Sequence, residues 1–156
     1  MTERSTMIDL EIPWPKLGEA MLEFHDDGMM RLLSRDISTR ASLIADAYKL
    51  VADQAIDNFV DAGAKDMFVM FPAVYCYRHY VELQLKCIIF DGCRLRGEQT
   101  DMQFGHDLSQ LWRLASAELK EAWPDGTPET LEAAGAWIAE LHKIDPISTA
   151  FRYASV

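Results

Sequence analysis

Between Phe71 and Arg96 the chain is apolar on nearly every side of a helical projection, yet it carries Arg78, His79, Glu82 and Lys86. A helix that is apolar all round is buried at the centre of a bundle rather than laid on its surface. At about 100° per residue the four polar groups fall within an arc of roughly 100°, forming one charged seam along roughly two turns. Burying such charges costs several kcal/mol each unless they are paired. The seam is therefore either satisfied internally or open to a groove that holds a ligand. Arg78 and Glu82, and Glu82 and Lys86, each stand four residues apart, so a ladder of ion pairs meets the first condition.

The rest of the chain supplies helices to surround this one. Ser38 or Thr39 offers an N-cap for a helix running to about Asp61, with Leu43, Ala47, Leu50, Val51, Gln54, Ala55 and Phe59 in the periodic pattern. Its end is marked by Asp61-Ala62-Gly63. The central helix starts around Phe71-Pro72, where proline is tolerated in the first turn, and runs to Arg94 or Arg96. A further helix is expected from about Asp107 to Ala122, and another from Pro128 to about Lys143 with Thr127 as its N-cap and Asp145-Pro146 as its stop. Towards the N-terminus, Leu17, Ala20, Met21, Phe24, Met29 and Leu32 or Leu33 recur at roughly helical spacing from Lys16 to about Arg35, with a weak point at Gly28. Ile12-Pro13-Trp14-Pro15 cannot be helical, so residues 1–15 form an extended arm, which Trp14 pins to the body or to a partner. No stretch alternates with period two for long enough to make a strand. The expected architecture is all-α, one domain over residues 16–156 built as a bundle of four to five helices behind the arm.

Composition narrows the function. The 156 residues carry 25 acidic and 15 basic side chains, a formal charge of −10 that repels phosphate backbones at long range and disfavours indiscriminate nucleic-acid or membrane binding. A local basic pocket is compatible with that total. No apolar run approaches the roughly 20 residues needed to cross a bilayer, and Glu3, Arg4 and Asp9 interrupt the start, so neither a membrane span nor an export signal is expected and the cytoplasm is the expected location. Cys76, Cys87 and Cys93 are odd in number, lack CxxC spacing and sit in the most apolar segment, which points to buried thiols rather than zinc or disulfides. His79 with Glu82, and Glu140 with His142, have the wrong order or spacing for a di-iron bundle, so no metal is expected. Glycine-rich phosphate loops, nucleophile elbows and zinc-finger spacings are missing, and no cofactor is expected.

Two further groups join the seam as candidates. Gly105-His106-Asp107-Leu108 places a histidine at the mouth of the helix that follows, and Phe151-Arg152-Tyr153 puts an arginine between two aromatics near the end. That arginine can return to the bundle and pair with Glu82 or bind phosphate. Each group also has a plain structural use: His106 as an interloop residue, the two aromatics as a cover for the core.

Taken in order, Tyr75-Cys76-Tyr77-Arg78-His79-Tyr80-Val81-Glu82-Leu83-Gln84-Leu85-Lys86, Gly105-His106-Asp107-Leu108 with Leu111-Trp112, and Phe151-Arg152-Tyr153 resemble a prokaryotic subgroup of HEPN-like (higher eukaryote and prokaryote nucleotide-binding) domains. The resemblance spans about half the chain. It implies a helical bundle that often dimerises and works on or around RNA and nucleotides, frequently in toxin–antitoxin, phage-defence or stress systems. Active members are metal-independent ribonucleases marked by an arginine followed after four to six residues by a histidine. This chain departs from that mark: Arg78 and His79 are adjacent, and nine residues separate Arg96 from His106.

The leading expectation is a HEPN-like module binding RNA, a nucleotide or another phosphorylated ligand in a groove beside the central helix. Arg78, His79, Glu82, Lys86, His106, Asp107, Arg152 and Tyr153 are its candidate site. A second is a ribonuclease of non-standard site, with His106 or His79 as base for the RNA 2′-hydroxyl and Arg78 or Arg152 stabilising phosphorane charge. A third is an acidic protein-interaction module whose seam only fixes helix register.

Overall fold

In a computed structural model of the protein, residues 36–101, 103–126 and 128–151 are described. The expected arm, the helix expected over residues 16–35, the Thr127 cap and the candidates Arg152 and Tyr153 lie outside them. The described residues form an all-α bundle of four helices with no strand: α1 (Ile37–Asp61), α2 (Met70–Leu95), α3 (Leu108–Ala122) and α4 (Pro128–Ile144). A short 3-10 turn, Met67–Val69, leads into α2. Each helix packs against the next, which makes α2 the middle layer between α1 and α3.

The start of α1 differs from the sequence expectation. Its cap is Asp36, not Ser38 or Thr39: the Asp36 carboxylate accepts from the Thr39 backbone N–H at 2.9 Å and from Thr39 Oγ1 at 2.7 Å. Ser38 is buried instead, donating its hydroxyl to Asp91 on α2 at 2.9 Å. Asp36 also meets Arg94 at 3.0 Å, so this end of α1 is tied to the far end of α2. Ser38, Ala45 and Ala52, seven residues apart, are the buried residues of α1; such small side chains let its backbone approach α2 closely. α1 stops where Gly63 takes the left-handed conformation at φ 70°, its N–H closing on the Val60 carbonyl at 2.9 Å.

α2 begins at Met70, slightly before the expected Phe71-Pro72. It shares an apolar core cluster with α3, in which Leu85, Ile89, Leu108, Leu111 and Ala115 are buried and Val81, Ile88, Phe104 and Trp112 pack around them. Burying a leucine such as Leu108 contributes about 1.5–3 kcal/mol, so this cluster holds α3 on α2. α4 adds Ile138 and Leu141. It comes close to α3 at Gly135, where a Cβ would lie 2.6 Å from the Trp112 indole nitrogen. Cys76 and Cys87 are buried and Cys93 is half-buried, all free thiols; desolvation raises the pKa of each. None of the helices among the described residues is long and apolar enough to cross a membrane.

Candidate functional site

The charged seam of α2 is buried and internally paired. Arg78, Glu82 and Asp145 have 0% exposure and Lys86 has 7%. Arg78 spreads its guanidinium over three elements. Nη1 donates to Glu82 at 2.8 Å, Nη2 to the His106 carbonyl at 2.8 Å, and Nε to the Asp145 carbonyl at 3.1 Å. The Asp145 carboxylate adds an ion contact at 3.3 Å through Oδ2, which makes no hydrogen bond of its own. Its Oδ1 accepts from the backbone N–H groups of Thr149 at 2.7 Å and Ala150 at 3.1 Å, so the same carboxylate that faces Arg78 folds the chain leaving α4. Lys86 donates to Glu82 at 2.8 Å.

Two cations and two carboxylates thus share a buried site. Burial raises the pKa of Glu82, but the hydrogen bonds from Lys86, Arg78 and His106 outweigh it and hold that pKa at about 2. Glu82 is therefore an acceptor-only carboxylate at neutral pH. His106 Nδ1 lies 2.7 Å from Glu82 Oε1, which requires that Nδ1 carry the hydrogen. The His106 side chain is 61% exposed, and its Nε2 makes no hydrogen bond among the described residues. The ladder below thus fixes the tautomer of a histidine at the surface. That arrangement can present a lone pair from the neutral ring, or a second N–H from the charged one.

The other candidates are distributed around this centre. His79 is not in the ladder; the roughly 100° arc that grouped it with Arg78 straddles two interfaces. Its ring stacks on Tyr75 at 5.9 Å and meets Tyr48 of α1 edge-on at 4.5 Å, and burial lowers its pKa. Asp107 caps α3, accepting from the Gln110 N–H at 3.0 Å, and lies 3.7 Å from His142 Nδ1. Phe151 returns to α2, its ring 6.5 Å from that of Phe71, which brings the described chain to α2 one residue before Arg152. A cleft of about 410 Å³ beside α2 lies on the α1 side, where Asp36 and Asp91 make it a poor host for phosphate. Among the described residues no group of three histidine, cysteine or acidic side chains is placed to hold a metal ion.

Sequence reasoning missed Asp145 as the partner of Arg78, 67 residues away. Its signal is an Asp-Pro step closing α4, which reads as a helix stop and also supplies a carboxylate that folds the next turn. Compared with protein-family models, curated proteins and solved structures, the chain matches none of them. The class defined by fold and site is an all-α bundle whose central helix buries an ion-pair ladder beneath an exposed histidine.

Proposed function

We propose that the protein is a HEPN-like module that binds a nucleotide, an RNA or another phosphorylated ligand at the His106 edge of α2. The observation that carries this reading is the exposed His106 ring whose Nδ1 is committed to a buried, ionised Glu82. Nε2 is left to meet a phosphate oxygen or a base edge. Arg78 and Lys86 act here as positioning residues, because both are buried, Arg78 against Glu82, Asp145 and the His106 carbonyl and Lys86 against Glu82. Arg152 and Tyr153, next in sequence after Phe151 and outside the described residues, are of the types that would give a nucleotide a cation and an aromatic face. With a total charge of −10, the ligand is engaged locally rather than tracked along its backbone.

The Glu82–His106 pair also favours a second reading, a metal-independent ribonuclease. His106 Nε2 would accept the 2′-hydroxyl proton as that oxygen attacks the adjacent phosphorus; the P–O5′ bond breaks to leave a 2′,3′-cyclic phosphate, the departing 5′-oxygen takes a proton from water, and Glu82 would steady the imidazolium that forms. One experiment separates the readings: wild-type and His106→Gln protein incubated with nucleotides and end-labelled RNAs in EDTA, scored for cleavage, gel retardation and thermal shift. Binding without cleavage that weakens in the variant supports the module. Cleavage lost in the variant supports the nuclease. Neither effect in the wild type refutes both and leaves an acidic protein-interaction module.

A further inference from the structure

The short link between α3 and α4, in which the Gly126 N–H closes on the Trp123 carbonyl at 3.0 Å, turns the two helices antiparallel. On one side they leave an open cleft of about 290 Å³. Trp112, Ser116 and Lys120 line it from α3, their four-residue spacing keeping them on one face, and Leu131, Glu132 and Gly135 line it from α4. Gly135 lies against Trp112 at one end, which in an antiparallel pair sets Ser116 level with Leu131 and Glu132 and Lys120 about one turn beyond.

The polar groups of this cleft have unused capacity. Lys120 and Glu132 are exposed and opposite in charge, yet neither forms an ion pair with the other or with any group among the described residues. The half-buried Trp112 has an indole N–H without an acceptor among the described residues. Ser116 spends its hydrogen on the Arg113 carbonyl at 3.3 Å, which leaves its oxygen as an acceptor. Gly135 stands inside a helix, where glycine is unfavourable relative to alanine, and a Cβ there would lie 2.6 Å from Trp112 Nε1. The missing side chain makes room for the indole edge. A lone surface charge needs no partner. Here a cation, a carboxylate, a free donor and a free acceptor share one concave surface with Leu131 and the indole, the combination of apolar wall and few polar groups found in ligand clefts.

We propose that this cleft binds a free α-amino acid as its zwitterion. The ligand carboxylate meets Lys120, its ammonium meets Glu132 and the Ser116 oxygen, and its side chain lies between Leu131 and the Trp112 indole. Charge selects this class. An anion alone is repelled by Glu132 and a cation alone by Lys120, whereas a ligand carrying both charges a few bonds apart satisfies both walls. Size agrees, because about 290 Å³ lies at the lower edge of the range for ligand sites and suits a small molecule rather than a nucleotide. The inference is independent of the ligand proposed for His106.

The test titrates the full chain with the standard free amino acids by calorimetry, each to about 10 mM, which detects millimolar affinity. At least one is expected to bind saturably. Its N-acetyl and carboxamide forms, each lacking one charge, are expected to bind at least about tenfold more weakly. Lys120→Met is expected to weaken the free amino acid about tenfold and leave the carboxamide form unchanged, and Glu132→Gln to do the same with the N-acetyl form unchanged. Both side chains are exposed, so the variants keep the fold, which circular dichroism checks. Absence of saturable binding by every amino acid overturns the proposal. So does equal affinity for the free and blocked forms, or binding that survives both substitutions. Binding lost in His106→Gln but kept in Lys120→Met would move the amino acid to the other edge and overturn it as well.

Discussion

Glu82→Gln turns the ladder into a measurable quantity. The carboxyl has a pKa of about 2 in the folded protein against an ordinary 4.5. The folded-state value is depressed, so the ionised form stabilises the fold at any pH above 4.5, and that contribution is lost as pH falls from about 4.5 through about 2. A difference of this size corresponds to roughly 3 kcal/mol at neutral pH. Glutamine keeps the shape and hydrogen-bonding capacity of the protonated acid, so the variant behaves as wild type with Glu82 already neutralised. Chemical denaturation of both proteins at matched pH is expected to show a gap of about 3 kcal/mol at pH 7, equivalent to about 6–12 °C in Tm, closing toward zero near pH 2. Acidic groups away from the ladder share the same surroundings in both proteins and cancel in the difference. A gap below about 1 kcal/mol at pH 7, or one that stays constant down to pH 2, would falsify the claim that Lys86, Arg78 and His106 hold Glu82 ionised.

Two substitutions probe the joints around the ladder. Asp145→Ala removes the carboxylate facing Arg78 and the acceptor for Thr149 and Ala150, and is expected to cost about 3–5 kcal/mol in a denaturant melt. A loss under about 1 kcal/mol would show that the Asp145 carbonyl alone suffices for Arg78. Gly135→Ala drives a Cβ to 2.6 Å from Trp112 Nε1, so α4 or the indole must shift, at about 1–3 kcal/mol and with altered tryptophan emission. An unchanged melt and spectrum would mean that α4 is not seated on Trp112.

Much of the fold was legible because helical periodicity is local. Asp61-Ala62-Gly63, the Pro128 start and the Asp107 start all act within a turn of where they stand, and the observed ends fall within a residue or two of them. The cap of α1 was misplaced because Ser38 and Asp36 are both capping types, and only the partner Asp91, 53 residues away, shows that the Ser38 hydroxyl is already used. The same limit applies at the site. Four-residue spacing revealed Arg78, Glu82 and Lys86 as a ladder, whereas the contributions of Asp145 and the His106 carbonyl depend on how α3 and α4 return to α2. His79 shows the reverse error. It shares the polar arc, yet Tyr48 arrives from α1 and takes its ring out of the cluster.

The most direct test of the account follows the imidazole nitrogens of histidine-labelled protein by NMR while a nucleoside monophosphate or a short RNA is added. The account predicts a His106 ring protonated at Nδ1 before addition, and a saturable displacement of its Nε2 signal on addition, with His79 unmoved between its tyrosines. An Nε2-protonated His106, or a ligand that binds without moving the His106 signal, would contradict it.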